Sequence, residues 1–382
     1  MAWSWIGVDE AGYGARLGPL VVSASWWQLS EPEWTSTPSD ADFLQRIDRW
    51  SWQAQFAASP KGTAAILPPH AVADSKKVYH SGQGLEKLER IVTSLLDAIE
   101  RDSNARPLTS RPTGPERSQS PLGSTIPGDT DAGETDAGET DGSERDWAWA
   151  EASARYLAHA VRVQGKAPTT SPYWATAPSE PTNRPSSAEP PESRQMRLAE
   201  SWDSPTVRPR GLFSALISEQ EFNAGLLQHG NKANLLSATS LLLASQVLQQ
   251  CPADQTIVID FDRHGGRKRY LSMLVEHLGA DWPQVLQETE LESSYLWLHN
   301  GRRIFLRFTV DGERRYPVAA ASLASKYARE LGMNCVNAFW QRLLVDLKPS
   351  AGYPVDAVRF VAALEQHLTA LPMSRECLWR NA

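Results

Sequence analysis

Asp9 and Glu10 stand side by side where a short apolar run, Trp3 to Val8, meets a glycine-rich segment, Ala11-Gly12-Tyr13-Gly14-Ala15-Arg16-Leu17-Gly18. Adjacent carboxylates beside bare backbone amides suit a hard cation and a phosphate. Two later apolar runs also close in acids. Thr256-Ile257-Val258-Ile259 leads to Asp260 and Asp262, and Ile304-Phe305-Leu306-Arg307-Phe308-Thr309-Val310 leads to Asp311 and Glu313. Carboxylates converging from three strand ends repel one another unless cations neutralise them. Two divalent ions about 3.5–4 Å apart would do so and would suit in-line phosphodiester hydrolysis. An all-oxygen shell favours magnesium or manganese. Any one of these pairs, taken alone, is also an ordinary solvated strand end. Bases lie close by: Lys76-Lys77 follow Asp74-Ser75, and Arg263, Arg267, Lys268 and Arg269 flank Gly265-Gly266. Such groups give salt-sensitive affinity for a nucleic-acid backbone. His264 reads as an exposed turn histidine, with a proton shuttle as the alternative.

The elements that must position these groups follow from periodicity. Residues 3–30 read as two antiparallel strands joined by the glycine turn, in which Gly12, Gly14 and Gly18 permit positive φ. Leu85, Leu88, Ile91, Val92, Leu95, Leu96 and Ile99 recur at helical spacing. A strong helix runs from Asn231 to Gln250 and stops at Cys251-Pro252. Thr256–Asp262 is a buried strand, and a helix follows over about 268–279. Residues 292–299 and 302–311 are two further strands. A long helix starts near Ala319 and runs towards Val345, and a last helix covers about 355–370. Strands interleaved with helices give an α/β class, in which sites form at strand ends.

The chain has 382 residues, 41% hydrophobic and 22% charged, enough to bury a substantial core. Two stretches, about 101–145 and 166–207, are rich in Pro, Ser, Thr and Gly and read as disordered insertions. The first carries Asp131-Ala132-Gly133-Glu134-Thr135 and its near repeat Asp136–Thr140, with too few apolar groups to offset its ordering entropy. A helical pattern returns between them at 147–165. The net charge of −7 is misleading, because residues 129–146 hold eight acids and one base and leave the remainder neutral. A neutral body can still present a basic face to nucleic acid. The three cysteines have no CxxC spacing, which argues for a reducing compartment and against a disulfide framework or zinc site. No apolar run nears the ~20 residues a membrane span needs, and the N-terminus lacks a signal-peptide pattern. The expected location is cytoplasmic.

Four motifs, in order along the chain, resemble the type 2 ribonuclease H family, ribonucleases HII and HIII. Asp9-Glu10-Ala11-Gly12 with Gly14, Gly18-Pro19 and Val21-Val22 resembles the family's opening motif, and Asp74-Ser75-Lys76-Lys77 the next. Ala319-Ala320-Ala321-Ser322-Leu323-Ala324-Ser325-Lys326-Tyr327-Ala328-Arg329 resembles its Ala-Ala-Ser helix, and Gly352-Tyr353-Pro354 its C-terminal tyrosine motif. The resemblance implies a ribonuclease H-like fold, a mixed central sheet flanked by helices, as a single domain over 1–382 interrupted by the two insertions. It implies a monomer that hydrolyses the RNA strand of RNA–DNA hybrids with two divalent ions, Mg2+ or Mn2+. Other readings are a nuclease of this fold acting on another nucleic acid, and a non-catalytic nucleic-acid-binding homologue. Carried over by motif, Asp9 and Glu10 are the first two metal carboxylates. The third is Asp262 or Asp260, with Asp262 favoured because it abuts the glycine turn. The fourth is Glu313, one residue closer to Ser322 than the family places it, with Asp311 as the alternative. Nucleic-acid contacts fall to Gly12, Tyr13, Gly14, Lys76, Lys77, Arg267, Ser322, Lys326, Arg329 and Tyr353. Ser322 is expected to offer hydroxyl and amide from a helix start. Gly12-Tyr13-Gly14 is nearer in spacing to the Gly-Thr-Gly of ribonuclease HIII than to the Gly-Arg-Gly of ribonuclease HII.

Overall fold

Apolar side chains fill both faces of Trp3–Val8, and every one of these residues is buried, the mark of a strand at the centre of a covered sheet. The computed structural model describes residues 2–30, 85–101, 207–368 and 375–381, together with Asp42, Gln45 and Trp174. The strands are β1 (Ala2–Ala11), β2 (Leu20–Ser30), β3 (Val207–Ile217), β4 (Thr256–Asp262), β5 (Gln284–Glu288), β6 (Glu292–His299) and β7 (Arg302–Thr309). The helices are α1 (Glu86–Arg101), α2 (Glu219–His229), α3 (Lys232–Leu248), α4 (Leu271–Leu278), α5 (Tyr316–Leu343) and α6 (Pro354–Leu368), and a 3-10 turn spans Gly312–Arg314. They build one mixed seven-stranded sheet in the order β3-β2-β1-β4-β7-β6-β5. β1, β4 and β7 run parallel at its centre, and the flanking neighbours pair antiparallel. The carboxyl ends of β1, β4 and β7 therefore share one edge of the sheet.

Helices cover both faces. Trp3, Trp5, Val258 and Phe305 pack against α1 and α5 on one side. Ile6, Val8, Ile259 and Leu306 pack against Phe222 of α2 and the leucines of α3 on the other. A third cluster, with Leu17, Val336, Trp340, Phe360 and Leu364, joins the far half of α5 to α6. The α5 N-terminus lies directly on β1: a Cβ at Gly7 would stand 2.1 Å from the Pro317 carbonyl carbon. Ser25 Oγ donates to Pro317 O at 2.6 Å and completes the seat.

The expected strands and helices that fall on described residues are present, and β3, α2 and β5 are additional to them. In β3, Pro209, Gly211 and two arginines break the alternation. The ladder to β2 slips between Trp26 and Trp27, leaving Arg210 as an extra residue, and an edge strand tolerates both the bulge and the proline. α2 opens with a capping box, Ser218 with Glu221, a local signal that periodicity alone does not register. β5 is exposed at all but its last residue and pairs with β6 through a bulge between Val285 and Gln287. Lys76, Lys77, the 147–165 pattern and the 101–145 and 166–207 stretches lie outside the described residues, apart from Arg101, Trp174 and Val207. Among the described residues no helix is long and apolar enough to cross a membrane.

Gly7→Ala is expected to lower the unfolding free energy by at least about 2 kcal/mol, read by chemical denaturation. Wild-type stability in that variant would contradict the close seat of α5 on β1.

Candidate active site

Parallel pairing of β1 with β4 sets Gly7 opposite Asp260 and Val8 opposite Phe261. Continued by one residue, that register brings Asp262 beside Asp9. Asp9 is buried; its Oδ1 accepts from Glu10 N at 2.8 Å and its carbonyl from Ser325 Oγ of α5 at 2.9 Å. Asp262 Oδ1 accepts from Gly312 N at 2.7 Å. Residue 312 must be glycine here, because a Cβ would stand 2.7 Å from the Asp262 Cα. That turn delivers Glu313, whose carboxylate accepts a short hydrogen bond from Ser322 Oγ of α5.

Asp9, Glu10, Asp262 and Glu313 feel one another electrostatically. Burial holds the Asp9 carboxyl well above the usual range, and Glu10, Asp262 and Glu313 raise it further against the hydrogen bond from Ser322. Glu10 is raised to about 8, chiefly by burial and then by Asp262. Acids with raised values in one cleft mark functional sites. The donor set, hard oxygens in mutual repulsion, fits a divalent cation by its chemistry. In this conformation, among the described residues, no group of three or more His, Cys, Asp and Glu side chains is arranged to hold a metal ion. Asp262 and Glu313 each commit an oxygen to the Gly312 amide and to Ser322 instead.

The alternative acids stand apart. Asp260 is fully buried, where Arg307 Nε and Nη2 donate to it at 2.7 and 3.0 Å and Trp5 Nε1 at 2.6 Å. Burial alone would raise its pKa, but Arg307 and then Arg315 outweigh that and lower it. It is one half of a structural ion pair. Asp311 takes a left-handed conformation, φ 56°, and pairs with exposed Arg314 at 3.1 Å.

The expected nucleic-acid groups divide in the same way. Gly12 has φ +86°, and a Cβ there would meet Arg329 Nε at 2.4 Å, whereas Gly14 faces open space. Tyr13 packs beside the α2/α3 core with Lys232 Nζ 5.0 Å over its ring. Arg267 donates to Asn234 Oδ1 and lies over Tyr270. Tyr353 is half-exposed, with the Arg329 guanidinium 4.9 Å over its ring. Lys326 pairs with Glu330 at 2.8 Å. Arg329 does not reach the surface: it is fully buried and donates to Ala351 O at 2.7 Å. Ser322 is not at a helix start, because α5 begins six residues earlier at Tyr316 with a proline in its first turn; its hydroxyl serves Glu313, and its amide lies past the unpaired first turn. Arg263 turns inward onto the Glu290 and Thr289 carbonyls at 2.6 and 3.0 Å. His264 is buried rather than exposed, at 3.0 Å from Ser237 Oγ, and burial pushes its pKa down to about 3. It stays neutral near pH 7.

Residues that sequence reasoning missed are Arg307, Lys232, Ser325, Glu219 and Arg380. Arg307 left a signal, a lone charge inside an apolar strand; the others meet the site only through long-range folding.

No protein-family model matches the sequence, and no curated protein matches it. Solved structures similar to the chain include ribonuclease HII of Archaeoglobus fulgidus in its complex with PCNA, at 13% identity and TM-score 0.35, covering 99% of this chain and 93% of that one. Ribonuclease H2 of Pyrococcus horikoshii OT3 matches at 12% identity and TM-score 0.38, over 98% and 92%. Bst-RNase HIII with Mn2+ matches at 13% and 0.36, over 99% of this chain and 66% of that one. At these identities and scores they carry no weight for activity, and the fold is read from its own strand order.

Arg307→Met leaves Asp260 buried without its main partner and is expected to cost about 3–5 kcal/mol of stability at pH 7. Because the Asp260 pKa is depressed, the pairing contributes fully above about 3.9 and is lost as the pH falls through the folded value. The deficit against wild type therefore narrows in acid, and denaturation at pH 7 and pH 3 measures both.

Proposed function

We propose that the chain is a metal-dependent endonuclease that hydrolyses the RNA strand of RNA–DNA hybrids. The observation that carries the reading is the gathering of Asp9, Glu10, Asp262 and Glu313 at the carboxyl edge of the sheet, where burial and mutual repulsion raise Asp9 and Glu10. The ordered motifs that resemble type 2 ribonucleases H support the choice of substrate. These four carboxylates would hold the divalent ions, Mg2+ or Mn2+, and bound ions of that kind activate water and stabilise a leaving oxygen. Ser322 orients Glu313 through its hydroxyl. Ser325 holds the Asp9 carbonyl and so fixes the end of β1 against α5. The turn around Gly12–Arg16 is the backbone this reading assigns to the ribose 2′-hydroxyl, the group that distinguishes RNA from DNA. Gly14 keeps that approach open, since nothing lies within 4 Å of where its Cβ would be. Tyr13 lies between the acids and the bases, feeling Glu10 and Arg267 and carrying Lys232 over its ring, and Tyr353 offers a half-exposed ring to a sugar or base.

Asp9→Asn is expected to lower hybrid cleavage by more than about 100-fold while hybrid affinity stays within a few-fold. Cleavage at the wild-type rate would overturn the assignment of the site. The substrate is decided by labelled RNA–DNA hybrid, DNA with a single ribonucleotide, double-stranded RNA and double-stranded DNA, each in Mg2+ and in Mn2+. The expected result is cleavage of the hybrid; cleavage of another duplex alone would replace the substrate.

A further inference from the structure

The turn from Gly12 to Gly18 is tied down by residues remote in sequence. Ala15 N donates to Gly12 O at 3.1 Å and closes the turn, and Arg16 N and Leu17 N both donate to Gly352 O at 2.7 and 3.1 Å. Gly18 N donates to the buried Glu219 at 2.8 Å. The farthest tie is Arg380. One of its guanidinium nitrogens donates to both Gly12 O and Ala15 O. Its backbone N donates to Arg16 O at 2.9 Å, and Arg16 Nη1 donates back to Arg380 O at 3.1 Å.

Arg380 has no solvent exposure, and its guanidinium lies 4.8 Å over the Phe222 ring of α2. Asn223, the next residue of α2, donates through Nδ2 to Glu376 O and Trp379 O at 3.0 and 2.8 Å and accepts from Asn381 N at 2.8 Å. Two faces of the same helix thus hold the 375–381 segment across the turn. A buried guanidinium is costly to desolvate, and an apolar side chain would fill its volume without that cost. Its Nε and Nη1 have no hydrogen-bond partner among the described residues. Burial lowers its pKa to about 9, so it still carries its charge at neutral pH. The hold on two carbonyls of one turn is what such a group adds.

We propose that Arg380 is a positioning residue: by gripping both carbonyl ends of the Gly12–Ala15 turn it sets the backbone that meets the substrate, and residues 375–381 are the strap that delivers it. What the turn meets rests on the nuclease reading above; the grip itself does not.

The test uses the full chain with Arg380→Met, Arg380→Lys and Asn223→Ala, and reads hydrogen exchange of residues 12–17 alongside KM and kcat on an RNA–DNA hybrid. In Arg380→Met the turn amides are expected to exchange at least about tenfold faster, and KM to rise roughly ten- to hundredfold with kcat within about threefold. Arg380→Lys, which keeps a charged donor, is expected to recover part of both. Unchanged exchange in Arg380→Met, or a fall in kcat with KM unaltered, would overturn the proposal. Should Arg380→Met fail to fold, Asn223→Ala decides by the same readings, since it loosens the strap from outside. A wild-type chain that cleaves no hybrid would refute the nuclease reading, and the exchange comparison would still decide the grip.

Discussion

α5 can lie against β1 only because residue 7 has no side chain. The helix backbone occupies the space where a Cβ would stand, and Pro317 is fixed there by Ser25. From that seat, Ser322 and Ser325 reach the Glu313 carboxylate and the Asp9 carbonyl. A further turn along, Arg329 fills the space beneath Gly12. Relaxing the contact by even an ångström would part the acids from the hydroxyls that orient them. The gathering of charge thus depends on apolar packing between a tryptophan-lined sheet and an alanine-rich helix.

β4 carries two aspartates two residues apart, with opposite fates. Asp260 lies deeper in the sheet and is neutralised by a bidentate guanidinium from the neighbouring strand. Asp262 sits at the strand end, bonded to a backbone amide and surrounded by other acids. Depth along one strand separates a structural ion pair from a member of the candidate site. Internal compensation serves the first, whereas the second belongs to a group of carboxylates that raise one another.

Much of this was legible in the residues. Alternation and helical spacing located β1, β2, β4, α1, α3 and α5, because these elements are long or apolar enough for burial to dominate their composition. Asp9, Glu10 and Asp262 could be singled out because acids at the end of an apolar strand break its pattern. The glycine turn and the motif already favoured Asp262 over Asp260 and Glu313 over Asp311; what they did not record is how the other two are engaged, Asp260 by Arg307 and Asp311, in its left-handed turn, by Arg314. β3 was obscured by Pro209, Gly211 and two arginines, and β5 because an edge strand need not bury either face. His264 and Arg263 looked like exposed turn residues because nothing local records that Ser237 and the β5–β6 connection close over them.

The far edge of the sheet has a consequence of its own. β5 is only five residues long, is interrupted by a bulge, and carries glutamines and a glutamate. A flat, long border strand would offer its unpaired amides and carbonyls as a template for strands of other molecules. The kink and brevity of β5 deny such a template a straight run. The parallel strands that align the acids are therefore extended outward by a hairpin whose free edge is a poor template for stacking copies.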